Sequence, residues 1–266
     1  MAKPSDNGIF ASCPDKPDVN SSANMAWIKT RGIVLHVLPY NDKYNIIYMY
    51  TEAFGRASYM VSRSRSKKSL LSKALSMPLA VLEMEVEHQP KRELHKVRES
   101  RLCFPVTQLC SHPVKSMIAL FLAEVLYRSL KEPEPDAALF AFLYRSVELL
   151  EEVEAGLANF HLVFLLGLLS HLGIFPNVTD LREGLYFDLV EGQFTDRQPS
   201  HPQFLNPNES RVLARLLKIS YENMSLYAFS RRDRVQILHL ILDYYRLHLP
   251  DFPAIKSLDV LQALFD

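Results

Sequence analysis

Apolar and polar residues alternate along the first third of the chain, in the pattern that is typical of β-strands. Gly55 permits a positive φ, so the chain is able to reverse tightly between two of these segments. The pattern predicts five strands: Thr30–Leu38, Tyr44–Thr51, Ala57–Ser62, Pro78–His88 and Glu93–Leu102. Five short strands within about 80 residues indicate a small β-barrel of the OB type.

The pattern changes near Pro105, after which the apolar residues recur at helical spacing. Asp136 is expected to cap a helix that runs to Glu152. Leu157–Leu172 is apolar almost all round, which predicts a central buried helix that ends at Gly173. The other predicted elements are the helices Val114–Lys131, Pro207–Lys218 and Arg231–Leu249, a hairpin over Leu181–Gln198, and a short amphipathic segment over Lys256–Phe265.

These elements predict an α+β protein with two domains. We expect an N-terminal OB-fold β-barrel over residues 25–105 and a mainly α-helical C-terminal domain over residues 106–266. A small hairpin without cysteine is expected within the second domain at residues 177–199. Residues 1–24 are rich in Ser, Asn, Asp and Pro, and we expect them to form a disordered leader that precedes a second candidate start at Met25.

Composition excludes several classes of protein. The 266 residues carry 30 basic and 30 acidic side chains, so the chain is not a uniformly basic nucleic-acid binder. Its three cysteines, Cys13, Cys103 and Cys110, lack the spacing of a zinc site or a disulfide framework. The start has no apolar run of a signal peptide, and the most apolar segment is too short to span a bilayer. We therefore expect a soluble cytoplasmic protein without a metal or another cofactor.

Positive charge is nevertheless concentrated in one stretch. No acidic residue lies between Glu52 and Glu83, and the segment between them is rich in serine and basic residues. Such a patch is suited to phosphate backbones, although a solvated surface loop has the same composition. The candidate DNA-binding residues in and beside this stretch are Arg31, Arg56, Arg63, Arg65, Lys67, Lys68 and Lys73.

A weaker basic cluster follows the fourth predicted strand. Lys91 and Arg92 are added to the DNA-binding prediction, while Lys96 and Arg98 lie among acidic residues. Proteins of the OB type also stack bases on aromatic rings. The candidates for this role are Tyr40, Tyr44, Tyr48, Tyr50 and Tyr59, of which at least half are expected to lie in the core.

The ordered series of these segments resembles the bacterial RecO family of recombination mediators. The resemblance rests in the first half on Arg31–Leu35, Pro39–Asp42, Thr51–Arg56 and the basic run Arg63–Lys68. In the second half it rests on Phe121–Leu126, Leu172–Pro176 and Lys256–Leu258. It extends from about Trp27 to Phe265.

Several properties are implied by this resemblance. RecO proteins have an N-terminal OB-fold and a helical domain, bind single-stranded and double-stranded DNA, and anneal strands. With a RecR partner they assist the loading of the recombinase RecA on DNA that single-strand-binding protein covers, which implies a nucleoid-associated location. Many members carry a four-cysteine zinc ribbon, but Asn177–Pro199 contains no cysteine, so zinc is not expected here.

The resemblance also implies a site for the acidic tail of single-strand-binding protein. Such a tail ends in apolar residues, so its site requires an apolar groove with a basic rim. Arg231, Arg232 and Arg234 begin a predicted helix, where basic residues are unfavourable for the helix dipole, and are therefore the predicted partner-binding residues. A surface cluster paired with nearby acidic residues is the alternative.

Two other classes of function remain open from the sequence. The first is a protein-interaction adaptor, in which the basic stretch has no DNA-binding role. The second is a metal-dependent nuclease that uses Glu83, Glu85 and Glu87, which share one face of a predicted strand. We expect those three carboxylates to face water instead. The chain has no P-loop, GxSxG, HExxH or dinucleotide-binding motif, so we predict a protein that is not an enzyme.

Overall fold

A computed structural model gives the structure of the protein and describes residues 27–62, 77–89, 91–178, 182 and 184–264. The predicted leader and most of the basic stretch, including Arg63, Arg65, Lys67, Lys68 and Lys73, lie outside the described residues. The first described region is a barrel of five strands. They are β1 (Trp27–Pro39), β2 (Tyr44–Thr51), β3 (Gly55–Ser62), β4 (Val81–Glu87) and β5 (Leu94–Leu102).

The barrel closes because its first strand pairs on both edges. The strand order is β1-β2-β3-β5-β4, with β1 antiparallel to both β2 and β4, and β3 parallel to β5. A bulge between Val34 and His36 bends β1. Its first part, Trp27–Ile33, pairs with β4, and its last part, His36–Pro39, pairs with β2. The alternating residues Ile47, Met49 and Tyr59 fill the interior, as the period of two requires.

The second described region is helical. Its helices are α1 (Thr107–Ser111), α2 (Pro113–Ser129), α3 (Ala137–Glu152), α4 (Phe160–His171), α5 (Pro207–Leu216), α6 (Arg231–His248) and α7 (Leu258–Leu264). A three-stranded sheet, in the order β7-β6-β8, consists of β6 (Tyr186–Asp188), β7 (Gln193–Thr195) and β8 (Phe204–Leu205). Nine residues of α4 are buried, which agrees with its nearly uniform apolar sequence. None of the described helices is long and apolar enough to cross a membrane.

The predicted fold class is confirmed, with differences in detail. The side chain of Asp136 accepts hydrogen bonds from the backbone N–H groups of Ala138 and Leu139, which is the predicted cap. The central helix is shorter than predicted, because its first residues, Leu157–Asn159, form a 3₁₀ turn. The predicted hairpin is joined by β8, which is too short to leave a pattern in the sequence.

Three hydrogen bonds of Arg56 and Tyr50 hold the barrel against the helical region. The Arg56 guanidinium donates hydrogen bonds of 2.6 Å to the carbonyl oxygens of both Tyr127 and Leu130, at the C-terminal end of α2. The Tyr50 hydroxyl accepts one of 3.2 Å from the backbone N–H of Asp136. A cation near the last carbonyls of a helix also complements the helix dipole. These contacts, together with Gly55, fix the position of β2 and β3 against the α2–α3 connection.

Gly55 gives a direct test of this junction. Its φ is +59°, and an added Cβ would lie 2.3 Å from the backbone oxygen of Glu134. Gly184 has a comparable φ of +84°, but among the described residues no atom lies within 4 Å of an added Cβ, so it is a matched control. The positive φ alone costs an alanine about 1–2 kcal/mol. We expect Gly55→Ala to lower the free energy of unfolding by at least ~2 kcal/mol more than Gly184→Ala, measured by urea denaturation. Equal losses would contradict the close approach.

Candidate nucleic-acid interface

The outer face of β2 and β3 is where barrels of the OB type bind nucleic acid. In this protein the α2–α3 connection covers one end of that face. The other end remains open and forms one wall of a cleft of about 750 Å³. We call it the barrel cleft; it is lined by Ile46, Tyr48, Ser58, Leu94 and Arg92 of the barrel and by Lys131 and Pro133 of the helical region.

Aromatic and imidazole rings form another wall of the barrel cleft. Phe54 stacks on His88 at 3.9 Å between ring centroids, and His88 lies 4.1 Å from His95. Partial burial lowers the pKa of both histidines below their usual value, and the His88 ring further lowers that of His95. These shifts favour the neutral form of both imidazoles. The cations that line the cleft are Arg56, Arg92 and Lys131, and Glu93 is the carboxylate among its lining residues.

The predicted cation Arg92 lies beside a buried carboxylate. Glu87 is only 4% exposed, so the expectation that it faces water is wrong. A buried carboxylate requires donors. The Glu87 carboxylate accepts a hydrogen bond of 3.0 Å from the side-chain amide of Gln89, and the Arg92 guanidinium and the Lys96 ammonium lie 3.4 and 3.8 Å from its oxygens. The Arg92 side chain is still about half exposed, and Lys91 beside it is exposed. Both therefore remain available to a phosphate.

The other two carboxylates of β4 are also paired. Glu83 accepts hydrogen bonds from Arg101, the shorter of 2.6 Å, and Glu85 lies 3.6 Å from Arg98. These pairs connect β4 to β5 across the sheet. Among the described residues no group of three or more His, Cys, Asp or Glu side chains has the arrangement of a metal site. The geometry gives no support to the nuclease hypothesis.

Two predicted DNA contacts have other partners in the structure. Arg31 forms a two-pronged ion pair with Glu52, at 2.6 and 2.8 Å, and lies over the rings of Phe140 and Tyr144. Arg56 donates to the end of α2 and lies 4.4 Å from the centre of the Tyr127 ring. Because their donors are engaged within the protein, we do not include Arg31 and Arg56 in the proposed interface.

The β1–β2 turn carries Tyr40, the most exposed aromatic residue among the described residues of the barrel. Tyr40 is 61% exposed, and Tyr44 and Lys43 are exposed beside it. Tyr44 pairs with Ser62, the last residue of β3, so the strand that precedes the basic stretch in the sequence ends beside this turn. Of the five candidate tyrosines, Tyr50 and Tyr59 are buried, and Tyr48 is half-buried at the barrel cleft.

The predicted partner-binding arginines lie at the start of α6. Ser230 and Asp233 cap this helix reciprocally, which offsets the unfavourable position of the basic residues. Arg234 donates a hydrogen bond of 2.6 Å to the carbonyl oxygen of Phe229, and both Arg231 and Arg232 are exposed. The cavity beside Arg231 and Arg234 is only about 10 Å³, which is too small to hold a peptide side chain.

A larger basic groove lies between α5 and the small sheet. It has a volume of about 210 Å³ and an apolar floor that includes Leu185, Phe194 and Ala214. Four cations surround it, and within the described part of the chain none of them forms an ion pair. We call it the α5 groove; its cations are Arg182, Arg211, Arg215 and Lys218.

Sequence reasoning missed the α5 groove, because Arg182 is distant in the chain from the other three cations. A signal was present nonetheless. Arg211, Arg215 and Lys218 are separated by four and three residues, which places them on one face of a helix.

Comparison with known families agrees with both regions. The model for the N-terminal part of recombination protein O matches residues 25–106, and the model for its C-terminal part matches residues 110–259. The chain belongs to the RecO family. Its members are named DNA repair proteins, so this chain has a role in DNA repair and recombination.

The matches to individual relatives extend over nearly the whole length of each relative. A DNA repair protein RecO of Bacteroides fragilis is 46% identical over 239 residues, which are 90% of this chain and 99% of the relative. One of Phocaeicola vulgatus is 46% identical over 237 residues, 89% and 98% of the two chains. One of Flavobacterium johnsoniae is 33% identical over 239 residues, 90% and 99% of the two chains.

Removing the charges of Arg92 and Lys131 tests whether the barrel cleft binds DNA. In the double variant Arg92→Gln/Lys131→Gln, we expect the slope of log affinity for a single-stranded oligonucleotide against log salt to become shallower by about 1.4, since each phosphate contact contributes about 0.7. The matched control is Lys29→Gln/Arg98→Gln, which removes two cations from the other side of the barrel. Fluorescence anisotropy at several salt concentrations measures both slopes. An equal change in the two variants would contradict the assignment of the cleft.

Proposed function

We propose that this chain is a non-enzymatic DNA-binding mediator of recombinational repair. It binds single-stranded and double-stranded DNA through its barrel, anneals complementary strands, and assists recombinase loading on strands that single-strand-binding protein covers. The observation that supports this most is the open end of the β2–β3 face. In a barrel of the RecO family, this face combines cations with the exposed tyrosines of the adjacent turn.

The mechanism is electrostatic and independent of base sequence. Arg92 and Lys131 contact phosphates, which positions a strand without reading its bases. Tyr40 and Tyr44 offer ring faces on which unpaired bases stack, and such stacking contributes about 1–3 kcal/mol per base. Neutralising the phosphates of two strands lowers their mutual repulsion, so complementary strands are able to pair. No covalent bond has to be made or broken.

The basic stretch supplies further phosphate contacts in this proposal. Arg63, Arg65, Lys67, Lys68 and Lys73 follow the strand that ends beside Tyr44. Lys91 lies in the β4–β5 turn, next to Arg92 of the barrel cleft. If about six cations contact phosphates, log affinity falls against log salt with a slope of about −4 for single strands.

Reversing the charge of the basic stretch tests the proposed function. We expect Arg63→Glu/Arg65→Glu/Lys67→Glu/Lys68→Glu to lower the affinity for a labelled single strand by at least ~100-fold at 0.1 M salt, because four phosphate contacts become repulsive. Fluorescence anisotropy gives the affinity, and a gel assay of complementary oligonucleotides gives the annealing rate. Wild-type protein whose binding is absent or insensitive to salt would favour a protein-interaction adaptor instead.

We assign capture of the acidic tail of single-strand-binding protein to the helical region. Its chemistry, carboxylates beside apolar residues, matches the α5 groove, where four cations surround an apolar floor. The start of α6, with Arg231, Arg232 and Arg234, offers charge but little concave apolar surface. The α5 groove is therefore the better candidate of the two. RecR and, indirectly, RecA remain the proposed partners in a cytoplasmic, nucleoid-associated assembly.

Two charge-reversed variants distinguish these sites. We expect Arg211→Glu/Arg215→Glu to weaken binding of a labelled acidic tail peptide at least ~10-fold, since two of the four cations become repulsive. Arg231→Glu/Arg232→Glu is the matched control and should change the affinity less than about twofold. Titration calorimetry measures both. The opposite ranking would return the tail site to the start of α6.

A further inference from the structure

A third cleft lies between the barrel and the helices, and the rings of His36 and Tyr127 in its wall contact Tyr48 of the β2–β3 face. Its volume is about 660 Å³, and its walls are the middle of β1, one face of α2 and the start of α7. Leu120 of α2 and Val260 of α7 line it and are 41% and 51% exposed. Val37 and Pro78 complete the apolar part of the wall. This volume exceeds that of a single side chain and is suited to a peptide segment. We call it the β1–α7 cleft.

Two cations, Arg128 and Lys256, line this cleft with one carboxylate, Glu124, so its net charge is positive. Glu124 accepts hydrogen bonds of 3.0 and 2.8 Å from the backbone N–H groups of Lys256 and Ser257, and one of 2.6 Å from the Ser257 hydroxyl. These neutral donors hold the carboxylate in place, and its negative charge offsets part of the positive charge of Arg128. Arg128 and the Lys256 ammonium form no ion pair within the described residues. The Nε atom of Arg128 is buried and has no hydrogen-bond partner there.

An unsatisfied buried donor of a cation is costly, and a carboxylate is the group that satisfies it best. Two cations beside exposed apolar side chains therefore select a ligand that carries both carboxylates and apolar groups. His36 adds little charge to this wall at neutral pH. Burial lowers the pKa of its imidazole, and the nearby Arg128 and Arg56 lower it further.

The backbone of β1 adds a second feature. Trp27–Ile33 pair with β4, and Val34 exchanges hydrogen bonds of 2.8 and 2.9 Å with Leu79 and Ala80. From His36 to Pro39, β1 pairs only with β2 within the described part of the chain, so its other edge has no strand partner there. Unpaired strand edges accept extended peptides as an added strand.

We propose that the β1–α7 cleft docks an extended segment of a partner protein in which carboxylates alternate with apolar side chains. The carboxylates pair with Arg128 and Lys256. The apolar side chains pack against Leu120 and Val260. The backbone lies along the edge of β1 from His36 to Pro39, which has no strand partner among the described residues. This site is separate from the barrel cleft and from the α5 groove, so a partner is able to bind while DNA is held.

A synthetic peptide tests this assignment. The probe is a fluorescein-labelled octapeptide of alternating aspartate and valine, with an octapeptide of alternating lysine and valine as the charge control. Titrations use the full chain in the Arg211→Glu/Arg215→Glu background, so that the α5 groove does not contribute. We expect micromolar binding of the acidic probe alone, weakened at least ~10-fold by Arg128→Glu/Lys256→Glu. Val260→Asp, at an exposed position, should weaken it similarly while both cations remain.

Three results would overturn the proposal. The first is an affinity that neither variant changes, although thermal unfolding shows that both are folded. The second is binding that appears only after residues 1–24 are removed, since the cleft would then hold a segment of this chain. The third is a loss of DNA affinity, without a loss of peptide affinity, in Arg128→Glu/Lys256→Glu. That result would assign the cleft to nucleic acid.

Discussion

The contact between Arg56 and the end of α2 is the constraint on which the rest of the structure depends. One guanidinium nitrogen donates to two backbone oxygens, of Tyr127 and Leu130, that have no partner within the helix. Removing the side chain would leave these partly buried carbonyls unsatisfied, which costs about 1–3 kcal/mol per group. Gly55 makes the close approach possible, because only a residue without Cβ fits against Glu134.

This docking decides where a ligand is able to bind. The helical region covers the Tyr50 end of the β2–β3 face and leaves the Ile46 end open. It also contributes Lys131 and Pro133 to the barrel cleft, so the proposed DNA site is built from both regions of the chain. The other side of the same docking creates the β1–α7 cleft. The two clefts share no lining residue, and the ring contacts among His36, Tyr48 and Tyr127 lie between them.

The sequence predicted the fold well because its signals are local. Alternation, helical spacing and the cap at Asp136 each depend on neighbours a few residues away. The functional surfaces were harder to predict from the sequence, because they depend on contacts between distant residues. Arg56, for example, donates hydrogen bonds to carbonyl oxygens 71 and 74 residues further along the chain. No local pattern distinguishes such an arginine from one that binds phosphate. The burial of Glu87 was missed for another reason. Alternation along β4 places it on the same face as the less buried Glu83 and Glu85, and Arg92 and Lys96 compensate its charge.

The central claim is that the open end of the β2–β3 face holds single-stranded DNA. The most direct measurement is the change in amide NMR shifts when a short single-stranded deoxyoligonucleotide is added to the labelled full chain. We expect shifts concentrated at Ile46, Ser58 and Arg92, with Lys29 and Glu99 on the other side of the barrel unchanged. Shifts confined to Lys29 and Glu99, or absent from the barrel altogether, would contradict it.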